Sequence, residues 1–422
     1  MDRLSDLPTP DSLAGVRLPA WCLPADWPRH QGEVVAADLR LRNGRIDALT
    51  PQLEHSVDHN APARMLALPP LVQAHAHLDK AFTAHRARAS GPGLLPAIQA
   101  AIDDRAHWSE ADLRERMERG LRASWDAGVA VLRTHIDWID AEAPLAWSVA
   151  AELAQEWGDR LRLERVALVP LRFFADAADA QQIAERVASP DGSTVMGGFV
   201  HTSNWSPPAL RHLLNSAQQQ GLDIDLHIDE ELHPQAQGLA AVAGWMSESK
   251  FEGHVICSHA CALAAQPAAQ ALHTLDALAK HARISLICLP STNLLLQDAR
   301  TGHTPLQRGL TLVHEARARG IAVLIGSDNV QDPFCHHGAL DPLHALELGV
   351  FAAQLSHPFD QWTDSVCRAD WLGRTNAAVR IAPGSRADLL CFAQAHPLTW
   401  PVPGTERRML RGGLWQTSVA PH

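Results

Sequence analysis

Between about Leu68 and Asn376, eight short apolar runs each give way to a stretch with helical periodicity; the runs are 71–77, 129–137, 162–171, 195–202, 222–229, 254–259, 284–290 and 321–328. Glu110–Trp125, Pro207–Gln220 and Pro305–Arg319 are three of the helical stretches. Parallel strands buried on both faces read as continuous apolar runs, and each needs a crossover, usually a helix, to reach the next. Eight strand-then-helix units in a row therefore predict an α/β fold of the (β/α)8 TIM-barrel type. A doubly wound open sheet is the other outcome of such alternation, but it usually takes fewer units, and no glycine-rich phosphate loop is present.

The chain ends have a different texture. Residues 33–50 alternate apolar and polar side chains on either side of Asn43-Gly44, a hairpin signal. Ala387–Phe392 and Arg408–Trp415 read as further short strands with a turn between. Together the ends predict one small β-sandwich domain, residues 1–68 with 377–422, attached to a catalytic barrel over 69–376.

A barrel collects its functional residues at the C-terminal ends of its strands. The first run ends in His75 and His77, two residues apart and so on one side of the strand. Imidazole is the commonest zinc ligand and suits iron, but two are too few for a tight site, and among 24 His a lone His-x-His carries little weight. Other strand ends supply more. The fifth run places Asp225 and His227 on one face and Ile224, Leu226 and Ile228 on the other; the sixth ends in Ser258-His259 and the eighth in Ser327-Asp328. The second ends in His135 and Asp137, which read equally as a satisfied polar pair below the site or as participants in it. Lys80 reads as a structural, ion-paired lysine.

Composition narrows the function classes. A net charge of -11 argues against nucleic acid as a partner. No run approaches the ~18 apolar residues of a membrane span. Seven scattered cysteines, with no apolar signal region at the start, fit a reducing cytoplasm. Cys257 and Cys261, which bracket His259, read as buried thiols. Homo-oligomerisation stays open.

In this order, the motifs resemble the amidohydrolase superfamily, in its cytosine deaminase-like branch. They are Pro69-Pro70 through His75-Ala76-His77-Leu78-Asp79, Arg133–Asp137, Asp225 through Glu230, Ser258-His259, Asn293 with Leu296-Gln297, and Gly326 through Pro333. The resemblance implies that His75, His77, His227 and Asp328 hold one divalent metal ion, zinc or iron. Binuclear members add a lysine at the end of the fourth strand, where this chain has Gly197 through Ser203, so one metal is expected. A divalent cation lowers the pKa of coordinated water to about 7, supplying a nucleophile at neutral pH. The resemblance further implies that Glu230 carries a proton to the ring nitrogen of the substrate, that His259 holds the attacking water and that Asp328 accepts its proton, with Glu231 the competing carboxylate beside Glu230.

Substrate contacts depart from the cytosine deaminase pattern. Leu171, followed by Arg172, stands where that pattern has a glutamine; Asn329 replaces an aspartate and Phe334 a tryptophan. The expected reaction is hydrolytic deamination of an amino-substituted nitrogen heterocycle: cytosine, isocytosine, or a related pyrimidine, triazine or pterin. The alternatives are removal of an N-alkyl amine from a triazine-like ring, as in the N-isopropylammelide hydrolase branch, and a binuclear cyclic amidase or lactonase. A non-catalytic protein on the same scaffold would have lost these side chains.

Overall fold

A computed structural model of the chain describes residues 10–30, 32–52, 65–373, 381–393, 395–401 and 404–416. Six strands lie N-terminal to the barrel: β1 (Ser12–Arg17), β2 (Arg29–His30), β3 (Glu33–Val34), β4 (Ala37–Arg42), β5 (Arg45–Pro51) and β6 (Met65–Leu68). Asn43 and Gly44 join β4 to β5 with φ of 52° and 73°, the paired positive values that a two-residue hairpin turn requires. A side chain at Gly44 would start 3.0 Å from the Gly412 carbonyl oxygen.

The barrel strands are β7 (Leu71–Ala76), β8 (Val129–Asp137), β9 (Arg162–Pro170), β10 (Thr194–Val200), β11 (Ile224–Ile228), β12 (Val255–His259), β13 (Ile284–Cys288) and β14 (Ala322–Ile325). Each pairs in parallel with its neighbour in sequence, and a parallel bridge between Ala76 and Asp328 brings the last strand's end back to the first. Gly326 makes this closure possible: a Cβ there would lie 3.1 Å from three atoms of His75.

Helices α1 (Leu94–Asp104) and α2 (Glu110–Asp126) separate β7 from β8. One helix fills each of the next five crossovers: α3 (Leu145–Trp157), α4 (Ala177–Val187), α5 (Pro207–Gln220), α6 (Gly238–Glu248) and α7 (Ala268–Leu278). The last crossover holds α8 (Pro290–Leu296) and α9 (Val313–Ala318), and α10 (Pro342–Ala352) follows β14. Helix α5 has the expected bounds because both ends are written in local chemistry. The Ser206 hydroxyl accepts from Ala209 N, prolines fill the first turn, and Gly221 stops the helix at φ 65°. The helix expected over Pro305–Arg319 is shortened to α9. Gly309 takes φ +65° against the Gln297 side chain, and the loop it creates lets the Thr311 hydroxyl donate to the His259 carbonyl.

Strands β15 (Leu389–Ala393), β16 (Arg407–Arg411) and β17 (Leu414–Trp415) pair back onto the N-terminal strands as a seven-stranded sheet, ordered β17-β16-β15-β6-β1-β4-β5; β2 and β3 form a separate ribbon. Alternation assigns the faces. Ala67, Leu389, Cys391 and Leu410 pack with Leu13, Val16 and Ile46 in the sheet's own core, whereas Leu66, Leu68, Leu390 and Phe392 join the barrel's core. The expected boundary at 376/377 lies outside the described residues. Among the described residues no helix is long and apolar enough to cross a membrane. All seven cysteines are buried free thiols, Cys257 and Cys261 included.

Candidate active site

Three strand ends, those of β7, β11 and β14, bring His75, His77, His227 and Asp328 together at the barrel mouth, all buried. The Nε2 atoms of His75, His77 and His227 lie 3.1–3.4 Å apart, and Asp328 Oδ1 is 3.4 Å from His75 Nε2 and 3.2 Å from His77 Nε2. The centre of a tetrahedron with such edges is about 2 Å from each corner, the length of a zinc–nitrogen or zinc–oxygen bond. Three imidazole nitrogens facing one another at these distances cannot all donate, and neither Asp328 oxygen has a hydrogen-bond partner. Both observations fit a cation at the centre.

Titration agrees with ligand duty. Burial lowers the pKa of His77 and, far more, of His227, leaving neutral imidazoles. Burial alone would raise Asp328, but the His75 and His77 imidazoles 3.2–3.4 Å away hold it well below the usual carboxylate range. Ligands to a metal must be deprotonated, the form that these shifts favour for His77, His227 and Asp328. Asp328 and His259 both sit at left-handed backbone angles, φ 61° and 70°, a strain that surrounding structure maintains at functional positions.

Below the imidazoles runs a buried ionic line. Arg133 donates to Glu164 (2.8 Å) and Asp225 (2.9 Å), Ser258 donates to Asp225 (3.2 Å), and His75 Nδ1 is 3.0 Å from the Ser258 hydroxyl. Such outer partners orient a ligating imidazole. His135 does not pair with Asp137. It stacks on His75 with ring centroids 3.7 Å apart; neither of its nitrogens has a hydrogen-bond partner, and Nε2 lies 3.8 Å from Asp225 Oδ2.

Two more groups face the same volume. His259 Nδ1 is 3.1 Å from Asn293 Oδ1; that oxygen can only accept, so Nδ1 carries the proton and Nε2, unpartnered, presents a lone pair. Burial lowers His259 to about 4, so the ring is neutral. Glu230 approaches His259 Nδ1 at 3.4 Å, and burial together with the Asp328 charge pushes its carboxyl well above the ordinary range. Glu231 turns away: it accepts from Thr202 N at 2.7 Å, whereas Glu230 lines the cavity. Asn293 and Gln297, both from the loop and helix after β13, hold His259 and the Glu230 carbonyl.

The cavity above the cation site is lined by His77, His227, Glu230, His259, Asp328 and Asn329 on the polar side, and by Leu168, Pro170, Phe199 and Phe334 among others on the apolar side. Asn329 and Phe334 therefore stand where substrate contact was expected. Leu171 and Arg172 do not. Leu171 is wholly buried in the barrel core, and Arg172 is exposed, its guanidinium over Phe173; the short turn after Pro170 points both away.

Sequence reading missed two lining elements. Leu94, Ile98 and Ile102 of α1 form an apolar wall at helical spacing i, i+4, i+8, a legible signal. Lys80 is the expected ion-paired lysine, 2.7 Å from Asp137, yet both residues face the cavity, which no spacing rule could foretell.

A barrel carrying three imidazoles and a carboxylate at its mouth defines a metal-dependent hydrolase. The chain belongs to the amidohydrolase family, whose model matches residues 106–408, and it is a hydrolase acting on carbon–nitrogen bonds. It is 35% identical over 371 residues to a pterin deaminase of Rhizobium rhizogenes, covering 85% of this chain and 83% of the relative. An N-isopropylammelide isopropyl amidohydrolase of Pseudomonas is 26% identical over 54% of this chain and 59% of its own length. In fold the chain is similar to a 5-methylcytosine deaminase of Klebsiella pneumoniae, with TM-score 0.75, 23% identity and 96% of both chains covered.

Proposed function

We propose that this chain is a hydrolytic deaminase of a flat amino-substituted nitrogen heterocycle of the pterin or amino-oxopyrimidine class, using one divalent cation, zinc or iron, held by His75, His77, His227 and Asp328. The observation that carries the reading is the buried carboxyl of Glu230 beside the four converging ligands, at the floor of a cavity with aromatic and aliphatic walls. The likeness to a pterin deaminase favours a bicyclic ring over cytosine.

When bound, the cation would lower the pKa of water and supply the nucleophile at neutral pH. Phe334, Phe199 and the α1 wall hold the ring flat and exclude bulk water. The lone pair of His259 Nε2 receives a hydrogen bond from the attacking water, and the Asp328 carboxylate takes its proton. Glu230, whose burial favours the protonated carboxyl, gives a proton to the ring nitrogen next to the amine-bearing carbon as that carbon becomes tetrahedral. The proton held at Asp328 then passes to the departing amine, the Glu230 carboxylate takes back the proton of the new hydroxyl as the carbonyl forms, and ammonia leaves.

An ammonia-release screen of amino-pyrimidines, triazines and pterins tests the reading, with the protein reconstituted separately with zinc, iron and manganese. Ammonia from a pterin or pyrimidine supports it. Release of alkylamine from an N-alkyl triazine, with no ammonia from any ring, would replace it by the N-alkyl amine reading, to which the Pseudomonas relative points.

A further inference from the structure

Hydrogen-bonding groups are distributed unevenly around the cavity. The ends of β9 and β10 contribute only Leu168, Pro170 and Phe199, so no side chain there can read a polar ring edge. Glu230 follows β11, on the His227 side of the cation site. Asp137 ends β8, three strands away around the ring, on the His77 side and close enough to interact electrostatically with His77. Two carboxyl groups thus line the cavity from strand ends three apart in the barrel order. They differ in surroundings: Glu230 is 4% exposed and approaches His259 at 3.4 Å, whereas Lys80 bonds both Asp137 oxygens at 2.7–2.8 Å and leaves that side chain about one-quarter exposed.

Resting on the deaminase reading above, we propose that Asp137, positioned by Lys80, is a specificity-determining residue that accepts the N–H on the second flank of the reacting carbon. The preferred substrate is then a cyclic acylguanidine, N=C(NH2)–NH, with its imine nitrogen at Glu230 and its N–H at Asp137. Pterin and isocytosine have that pattern. Cytosine does not, because the second flank of its amine-bearing carbon is C–H. A carboxylate facing C–H loses water and gains no bond, and sites built to bond an N–H discriminate strongly against rings that lack it.

The bland alternative is that Asp137 serves only to neutralise Lys80. Matched substrates separate the two: pterin against pterin methylated on its N–H ring nitrogen, and isocytosine against cytosine, measured as kcat and KM. The wild type should disfavour the methylated ring by on the order of 100-fold in kcat/KM, mostly through KM. Asp137→Asn should raise KM for pterin at least about tenfold while kcat changes less than about threefold. Should removal of one charge prevent folding, Lys80→Met/Asp137→Ala leaves no unpaired member of the pair; in it the penalty for methylation should fall below about tenfold. An active wild type whose discrimination is the same in the double variant overturns the role of Asp137 alone. A wild type that releases ammonia from none of the four rings overturns the deaminase reading itself.

Discussion

Glu230→Gln separates proton transfer from every other contribution Glu230 makes. Glutamine matches the volume of glutamic acid and keeps a donor and an acceptor, so the buried side chain, 4% exposed, leaves no cavity. Among the described residues Glu230 approaches His259 at 3.4 Å, and that ring is neutral, so the change breaks no salt bridge between them. What disappears is a transferable proton. A positioned general acid contributes typically about 10²–10⁴-fold, so kcat should fall by that factor, about 3–5 kcal/mol of barrier at 1.4 kcal/mol per decade. KM should stay within about threefold, because glutamine still bonds the ring nitrogen. Stability should not fall: a carboxyl whose folded pKa lies above its unfolded value weakens the fold at neutral pH, and the amide removes that burden. Steady-state ammonia release, thermal unfolding and metal analysis on one preparation check all three. A variant that keeps metal and fold and also keeps more than a tenth of wild-type kcat would refute the assignment of the proton to Glu230.

Other perturbations bear on the supports. Arg133→Met removes the buried guanidinium shared by Glu164 and Asp225, and should cost about 3–5 kcal/mol in denaturant unfolding; a loss below about 1 kcal/mol would mean the line beneath His75 is not energetically coupled. His227→Ala should drop bound zinc or iron from about one per chain to under about a tenth after dialysis, with the barrel's circular dichroism intact; retained stoichiometric metal would place the cation elsewhere. For Asp112, burial is outweighed by hydrogen bonds from Arg86 and Arg116, which bring its pKa from 3.8 down to about 2. A depressed carboxylate stabilises fully above its unfolded pKa and loses that contribution as pH falls through its folded one. Asp112→Asn should therefore cost about 1 kcal/mol at pH 7 after solvent screening, with the gap to wild type closing between about pH 4 and 2; a gap independent of pH would contradict the pairing.

The barrel was legible because its evidence is local. Each of the eight strands falls on an apolar run that needed no knowledge of its neighbours, and α5 carries its own stop and start signals in Ser206 and Gly221. The 305–312 segment misled for the opposite reason: its periodicity is helical, but Gly309 bends it so that Thr311 can hold the His259 carbonyl, a long-range contact that overrides a weak local preference. The seven-stranded sheet was anticipated only as a union of the chain ends; its faces, with Ala67 turned inward and Leu68 toward the barrel, come from pairing between β6 and β15.

For the site, strand alternation and the rule of C-terminal ends were enough to nominate His75, His77, His227, His259 and Asp328, since each lies at or just past the C-terminal end of a strand. They could not tell that Leu171 and Arg172 leave the cavity one residue after Pro170, nor that Asp137 turns to Lys80 instead of His135. The choice between Glu230 and Glu231 likewise waited for Thr202 to claim one of them. The amino-acid order by itself determined the strands, their succession and the kinds of atoms presented at the mouth, because those follow from periodicity and chemistry within a few residues. Only the closed barrel decided which of those atoms lie within 3.5 Å of one another and which carboxyl stays protonated, because burial and charge at a point are sums over residues far apart in the chain.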